Sequence, residues 1–256
     1  GVFVSPGQIR DAEDNVVRYN RSNELDRMDG RYAEFLEREV LPAVVKHKTA
    51  DGRAIKISER ATDRAIYGNS SGGICAFNVA WQRPDLFSRV YASCGTFVSF
   101  RGGDQYPALI RKCEPRQIRV FLQDNDKDTW NPLFGSWFEY NELMLSALQF
   151  AGYEVRHSWD EGGHSSKNAR KIMPDVIRWL WLWKGWPELP QKGKSQSKTL
   201  ASMLVEGEEW RCIGEGIAEG AMLHPHSEQE VILQSGKIKE FVKVDGSRAK
   251  VKGKVA

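Results

Sequence analysis

The sequence predicts an α/β fold: a mostly parallel sheet with helices on both faces, followed by a small β-rich C-terminal tail. Over residues 1–187, short runs of β-branched and aromatic residues alternate with longer stretches of helical periodicity. Strands that alternate with helices in this way are typical of a parallel sheet covered by its crossover helices. With 256 residues, 41% of them hydrophobic, the chain is long enough for one sizeable core and a smaller appendage.

Each predicted strand is short and apolar, and each predicted helix carries apolar residues three or four positions apart. The helix over 72–82 is expected to stop before Pro84, because proline cannot continue a helix. The predicted strands cover residues 2–4, 64–67, 90–93, 118–122 and 153–159, and the predicted helices cover 30–46, 72–82, 137–150 and 167–184.

The composition changes after Pro187. The polar segment that follows is rich in chain breakers and predicts a linker over 188–203. Farther on, strands are predicted over 231–233 and 237–244, with Asp245-Gly246 as a hairpin turn leading into 248–255. We therefore expect one α/β domain over 1–187 and a β-rich tail over 204–256.

Composition argues against several classes of partner. A net charge of +3 is too small to indicate nucleic acid or a membrane surface, and no apolar run approaches the roughly 20 residues that a membrane span needs. The four cysteines lack the CxxC spacing of a zinc site. We expect a small-molecule substrate, no nucleic acid, no membrane, and neither a metal nor a cofactor.

A candidate nucleophile lies in the run from Gly68 to Gly73, which matches G-x-S-x-G around Ser70. A predicted strand precedes the motif and a predicted helix follows it, which is the context of the nucleophile elbow in α/β-hydrolases. Small residues two positions before and after the serine allow the sharp turn that exposes its hydroxyl. The backbone N–H of Ser71 is then placed to donate to an oxyanion.

A serine hydroxyl needs a general base, and only five histidines are available. In this fold the nucleophile, acid and histidine follow one another along the chain, on loops after strands. Among the five, His164 has that position, because it follows the strand predicted over 153–159.

The acid is expected after the strand predicted over 118–122, where Asp124, Asp126 and Asp128 compete. Asp124 lies close to the strand end, whereas Asp128 lies farther into the loop. Position favours Asp128, while Asp124 and Asp126 stay open as alternatives.

Three stretches resemble the α/β-hydrolase group of enterochelin esterases, esterase D and feruloyl esterases. Residues 20–42 are similar to the R-S-x-E-L … F-L … E-L-L-P pattern of enterochelin esterases, and 68–73 to the serine turn. Asp128 and Gly162-Gly163-His164 resemble the G-x-x-D and G-G-H loops, with Asn125 in the place of glycine. The resemblance covers about residues 1–187 and implies a serine esterase with Ser70, Asp128 and His164 as its triad.

The resemblance also implies a gap. In this group the second oxyanion donor comes from an L-x-D-G-type loop that precedes the segment resembling 1–25, and this chain has no such stretch. We therefore expect an esterase domain that lacks its N-terminal strands. A catalytically impaired fragment or a binding module is the first alternative function.

The tail over 207–244 resembles the first blade of an SMP-30/gluconolactonase-like propeller. The usual F-x-E-G-P element is represented by residues 217–221, of sequence IAEGA. Because this tail is too short for a complete propeller, we expect it to be a stub of such a domain. A metal-dependent lactonase acting through this part of the chain is the second alternative function.

Candidate substrate-binding residues flank the predicted triad. Trp130 and Trp137 follow the acid loop and are placed to line an acyl or sugar pocket. Arg21 is expected either to bind an acidic substrate or to form an ion pair with Glu24. Siderophore, feruloyl-sugar, acetyl-sugar and small thioester substrates all suit the resemblance.

Overall fold

The computed structural model describes residues 1–182 and the backbone of four C-terminal strands. Contacts between Cα atoms divide the chain into two compact units, Gly1–Val205 and Glu206–Ala256. Among the described residues, no helix is both long enough and apolar enough to cross a membrane.

A four-stranded parallel sheet forms the centre of the first unit, in the order β3-β4-β5-β8. Its strands are β3 (Ala65–Asn69), β4 (Arg89–Ser93), β5 (Arg119–Asn125) and β8 (Val155–Asp160). Every residue of β4 and β5 is buried, because helices cover both faces of the sheet. The parallel α/β architecture predicted from the sequence is confirmed.

Alternate residues of the central strands serve two separate cores. Val90 and Ala92 of β4 belong to a large apolar cluster on one face, whereas Tyr91 belongs to a smaller cluster on the other. Strand β5 repeats this pattern, with Phe121 on the side of the smaller cluster. This is the period-two geometry of a strand that is buried on both sides.

The helices are divided between the two faces. Helices α4 (Ser71–Gln82) and α6 (Trp137–Phe150) pack on the larger cluster, joined by α5 (Tyr106–Lys112). Helix α7 (Lys167–Trp181) covers the opposite face with Val176, Trp179 and Leu180. Short 3-10 helical segments lie at Ala61–Asp63 and Phe100–Gln105, and β6 (Trp130–Asn131) and β7 (Gly135–Ser136) form a two-strand hairpin.

The N-terminal region corrects one prediction. Residues 2–4 form no strand and are exposed, with 98% of the Phe3 surface accessible. Among the described residues no strand pairs with this apolar run, and composition alone does not make a strand. Instead, β1 (Gln8–Arg10) and β2 (Val16–Tyr19) form an exposed antiparallel hairpin.

Two helical stretches follow that hairpin. The first is the short α1 (Arg21–Leu25). The helix predicted over 30–46 is then present as consecutive segments α2 (Arg31–Phe35), a π-helical turn (Leu36–Val40) and α3 (Leu41–Val45).

In the C-terminal part, four antiparallel strands form a sheet in the order β12-β11-β10-β9. They are β9 (Met222–Pro225), β10 (Glu230–Ser235), β11 (Ile238–Lys243) and β12 (Arg248–Lys250). The strands predicted over 231–233 and 237–244 are confirmed. The predicted linker at 188–203, the turn at 245–246 and residues 217–221 lie outside the described residues.

Candidate active site

The strand-to-helix turn at Ser70 has the strained backbone of a nucleophile elbow. Ser70 has φ 60° and ψ −122°, in a region that non-glycine residues rarely occupy. Its N–H donates to the Ser93 carbonyl at 2.9 Å, and its own carbonyl accepts the Gly73 N–H at 2.8 Å. These bonds link the turn to β4 and to the first turn of α4, so the serine is held outside the sheet.

The two glycines that flank the motif have different roles. A Cβ at Gly68 would lie 1.9 Å from the Gly72 carbonyl oxygen, so this position has no room for a side chain. A Cβ at Gly72 would meet nothing within 4 Å. The expectation that both sites must be small is therefore wrong at Gly72. The close approach falls at Gly73, where a Cβ would lie 2.9 Å from the Ser93 carbonyl oxygen.

The imidazole of His164 lies between Ser70 and Asp128. Its Nε2 is 2.8 Å from Ser70 Oγ, and its Nδ1 is 2.5 Å from Asp128 Oδ1. The Asp128 side chain is fully buried, while 32% of the His164 side chain is exposed. The imidazole is therefore open to a ligand, and the carboxylate behind it is shielded from water.

Several hydrogen bonds join the loops that carry Asp128 and His164. Asp126 Oδ1 accepts the Gly162 N–H at 2.9 Å, and the Lys127 N–H donates to the Gly162 carbonyl at 2.9 Å. Asn125 Nδ2 donates to the Gly163 carbonyl at 2.8 Å. Sequence reasoning missed the roles of Asn125 and Asp126. The signal was the asparagine at the position where the resembling loops have glycine.

Burial and hydrogen bonds shift the pKa values of two buried aspartates, Asp124 and Asp128, in opposite directions. Burial raises the pKa of Asp128, but hydrogen bonds with His164 and the Thr129 N–H, together with the adjacent Asp124 side chain, lower it more, so the net value is below its usual range. Burial, followed by the adjacent and charged Asp128 carboxylate, raises the pKa of Asp124 far above its usual range. Asp128 is thus the carboxylate that stays ionised beside the histidine.

A cysteine adjoins this site. Within residues 1–182, atoms of Cys94, Asp128 and His164 lie within 4.8 Å of one another. The 2.5 Å hydrogen bond between Asp128 and His164 is shorter than the roughly 3.3 Å between two ligand atoms on one tetrahedral zinc ion. We therefore assign the cluster to the hydrogen-bonded triad arrangement. The Cys94 thiol itself is buried, and burial raises its pKa to about 12.

Comparison with protein families identifies the group to which this arrangement belongs. The family model for esterases, described as "Putative esterase", matches residues 2–243. This chain belongs to that esterase family. A comparison with curated proteins found no match.

Solved structures of esterases are similar to this family member. Enterochelin esterase from Shigella flexneri is 22% identical with a TM-score of 0.50, over 63% of this chain and 39% of that one. A ferulic acid esterase is 20% identical with a TM-score of 0.46, over 58% of this chain and 59% of that one. The chain thus spans less than two thirds of either structure, and the first likeness supports a shared α/β-hydrolase fold.

The two tryptophans predicted to bind substrate differ in their contacts and in their exposure. The Trp137 ring lies edge-on to the His164 ring, with centroids 6.3 Å apart, and its Nε1 donates to Thr96 Oγ1 at 3.3 Å. Trp130 is 69% exposed in the β6–β7 hairpin. Trp137 therefore borders the site, and Trp130 presents an open aromatic surface on the segment leading to it.

Arg21 lies beside the nucleophile turn. Its Nη1 donates to Ser71 Oγ at 2.5 Å. Glu24 instead accepts the Gly7 N–H at 3.0 Å, so the expected Arg21–Glu24 ion pair is absent from the described residues. The structure leaves Arg21 exposed, next to the residue that follows Ser70.

Proposed function

We propose that this chain is a serine carboxylic-ester hydrolase that works through an acyl-enzyme. The observation that carries the proposal is the hydrogen-bonded series Ser70–His164–Asp128 on a strained elbow. An imidazole that contacts a serine hydroxyl on one side and a buried carboxylate on the other is the arrangement that activates a serine.

The chemistry follows from these contacts in two steps. Ser70 Oγ attacks the ester carbonyl while His164 Nε2 takes the hydroxyl proton, and the tetrahedral intermediate collapses as the histidine returns that proton to the departing alcohol. Water then attacks the acyl-enzyme, with His164 again as the base, to release the acid and free Ser70. Asp128 holds the imidazole and stabilises its positive charge in both steps.

The backbone N–H of Ser71 is our candidate for an oxyanion donor. Ser71 is the first residue of α4 and is buried, so its N–H belongs to a helix N-terminus directly after the nucleophile. The positive end of the helix dipole favours negative charge there.

We propose small esters or esters attached to a carbohydrate or siderophore as substrates. Trp137 borders His164 and suits an aromatic or sugar ring, and Trp130 offers a second aromatic surface. Arg21 supplies an exposed cation near the nucleophile for an acidic or hydroxylated acyl group. The name of the similar enterochelin esterase structure agrees with a siderophore ester as the substrate.

The domain assignment remains part of this proposal. We assign the esterase to 1–187, a linker to 188–203 and a separate β-rich tail to 204–256. The four antiparallel strands between Met222 and Lys250 suit the start of a propeller-like domain of the SMP-30/gluconolactonase type.

Labelling with a fluorophosphonate probe tests the proposal, because only an activated serine displaces the fluoride. The chain is expected to label, Ser70→Ala to lose labelling, and Ser5→Ala, which removes an exposed serine hydroxyl, to keep it. A folded chain that does not label would contradict the esterase function and favour a binding module. Labelling and turnover are expected to be insensitive to a chelator; loss of turnover would favour the metal-dependent alternative.

A further inference from the structure

A second carboxyl group lies buried directly behind the candidate triad acid. Asp124, near the end of β5, is fully buried. Its Oδ1 accepts the Asn125 N–H at 2.8 Å, and its Oδ2 accepts Asn141 Nδ2 from α6 at 2.7 Å. The Asp124 side chain meets Asp128, so two carboxyl groups share one dry site.

The two carboxylate oxygens of Asp128 lie in different surroundings. Oδ1 of Asp128 faces His164 and the Thr129 N–H, whereas Oδ2 is buried and has no hydrogen-bond partner among the described residues. Two adjacent ionised carboxylates have only acceptors to offer each other and repel. A single proton shared between the groups removes the repulsion and gives Oδ2 a donor.

The surroundings decide which group carries the proton. The titratable groups that face Asp124 are Asp128 and the Cys94 thiol, and α6 adds only the neutral amide of Asn141. Asp128 faces His164, which becomes cationic during turnover and favours an ionised partner. The neutral carboxyl therefore belongs at Asp124.

We propose that Asp124 is held as a neutral carboxylic acid, which donates a hydrogen bond to Asp128 Oδ2 and fixes the carboxylate that orients His164. Asp124 is a positioning residue, and this inference rests on the proposed function of the triad. The opposite pKa shifts of the two groups, Asp124 raised and Asp128 lowered, agree with this assignment.

Two substitutions test the proposal through turnover of p-nitrophenyl acetate. Asp124→Asn supplies an uncharged donor of the same shape, so kcat is expected to stay close to that of the parent. Asp124→Ala removes the donor, and kcat is expected to fall about 10–100-fold with KM little changed, because the histidine loses its fixed orientation. An unchanged kcat in Asp124→Ala would overturn the positioning role.

The pH profile separates a neutral from an ionised Asp124. If Asp124 is neutral, Asp124→Asn removes no charge, and the acidic limb of kcat/KM is expected to stay in place. If Asp124 is ionised, the substitution removes a negative charge near His164, which shifts that limb to lower pH. Such a shift would contradict the proposal.

Unfolding by urea gives a readout that does not depend on catalysis. A native proton on Asp124 is released in the unfolded chain above the ordinary aspartate range, so stability falls as pH rises toward the raised pKa. Between pH 5 and 7, the unfolding constant of the parent relative to Asp124→Asn is expected to rise by up to about tenfold per pH unit. Asp126→Asn, which changes an exposed carboxylate, is the matched control.

The two readouts distinguish the failure of either hypothesis. A pH-independent ratio for Asp124→Asn would show that Asp124 is ionised in the native protein and would overturn the inference. A pH-dependent ratio in a chain that neither labels nor turns over would support the neutral Asp124 while contradicting the esterase function.

Discussion

Hydrogen bonds on both ring nitrogens align His164, and each bond comes from a different loop. Ser70 is held by the strained elbow, and Asp128 by burial and by the neighbouring Asp124. The acid loop and the histidine loop are also bonded to each other through Asp126 and Gly162. A single carboxylate oxygen, Asp128 Oδ1, therefore identifies the candidate acid through its hydrogen bond with His164 Nδ1.

Substitution of the candidate acid has a specific expected outcome. Asp128→Asn is expected to reduce kcat/KM about 10³–10⁴-fold, since an amide favours the wrong histidine tautomer. Asp126→Asn is the comparison, and its effect is expected to be much smaller, because the Asp126 side chain accepts only the Gly162 backbone N–H among the described residues and an amide oxygen can still accept it. Steady-state hydrolysis of p-nitrophenyl acetate measures both, and a larger loss in Asp126→Asn would assign the acid to Asp126.

At the scale of elements, the β3–α4 junction places Ser70, the candidate nucleophile. The chain reverses so tightly that the Gly68 and Gly72 backbones are in direct contact, while Gly73 packs against the end of β4. The absence of a side chain at Gly68 and Gly73 therefore determines the path of the turn, and Gly72 has space to spare.

A pair of glycine substitutions tests this difference. Gly68→Ala is expected to destabilise the chain by at least about 3 kcal/mol, because its Cβ would collide with a backbone carbonyl. Gly72→Ala lies in the first turn of α4 with open space around it and is expected to add up to about 1 kcal/mol of stability. Thermal and urea unfolding measure the stability of the two variants, and equal destabilisation would rule out the close approach at Gly68.

The boundaries of these elements show how much the sequence can predict. Helix α6 begins and ends at the predicted residues 137 and 150, and α4 begins one residue before its prediction, because capping and periodicity are local signals. Strand β5 instead continues three residues past its predicted end, since Asn125 pairs with Asp160 of β8. That distant pairing keeps Asp124 inside the strand, a result that local sequence does not predict.

At the scale of the whole molecule, both faces of the central sheet are closed by helices within residues 1–182. Helix α7 covers the second face, and Arg119 of β5 donates to the Leu182 carbonyl at the end of that helix at 2.5 Å. The core contacts that the structure describes thus lie within residues 1–182, and the family match extends to residue 243.

This arrangement predicts the behaviour of a shortened chain. A chain of residues 1–187 is expected to fold and to hydrolyse p-nitrophenyl acetate at a rate comparable to that of the full chain, because it keeps α7 and every residue of the site. Circular dichroism and the hydrolysis assay test the expectation. Loss of folding or of activity would place the C-terminal unit within the esterase domain.

Hydrolysis of p-nitrophenyl acetate by the full chain, beside Ser70→Ala and His164→Ala, tests the triad most directly. Ser5→Ala and His47→Ala, at exposed positions, are the matched controls. The parent and controls are expected to turn over above background, and the two site variants to fall by about 10³–10⁶-fold. If the parent matches the uncatalysed rate while circular dichroism shows a folded chain, Ser70, His164 and Asp128 do not form a working catalytic triad.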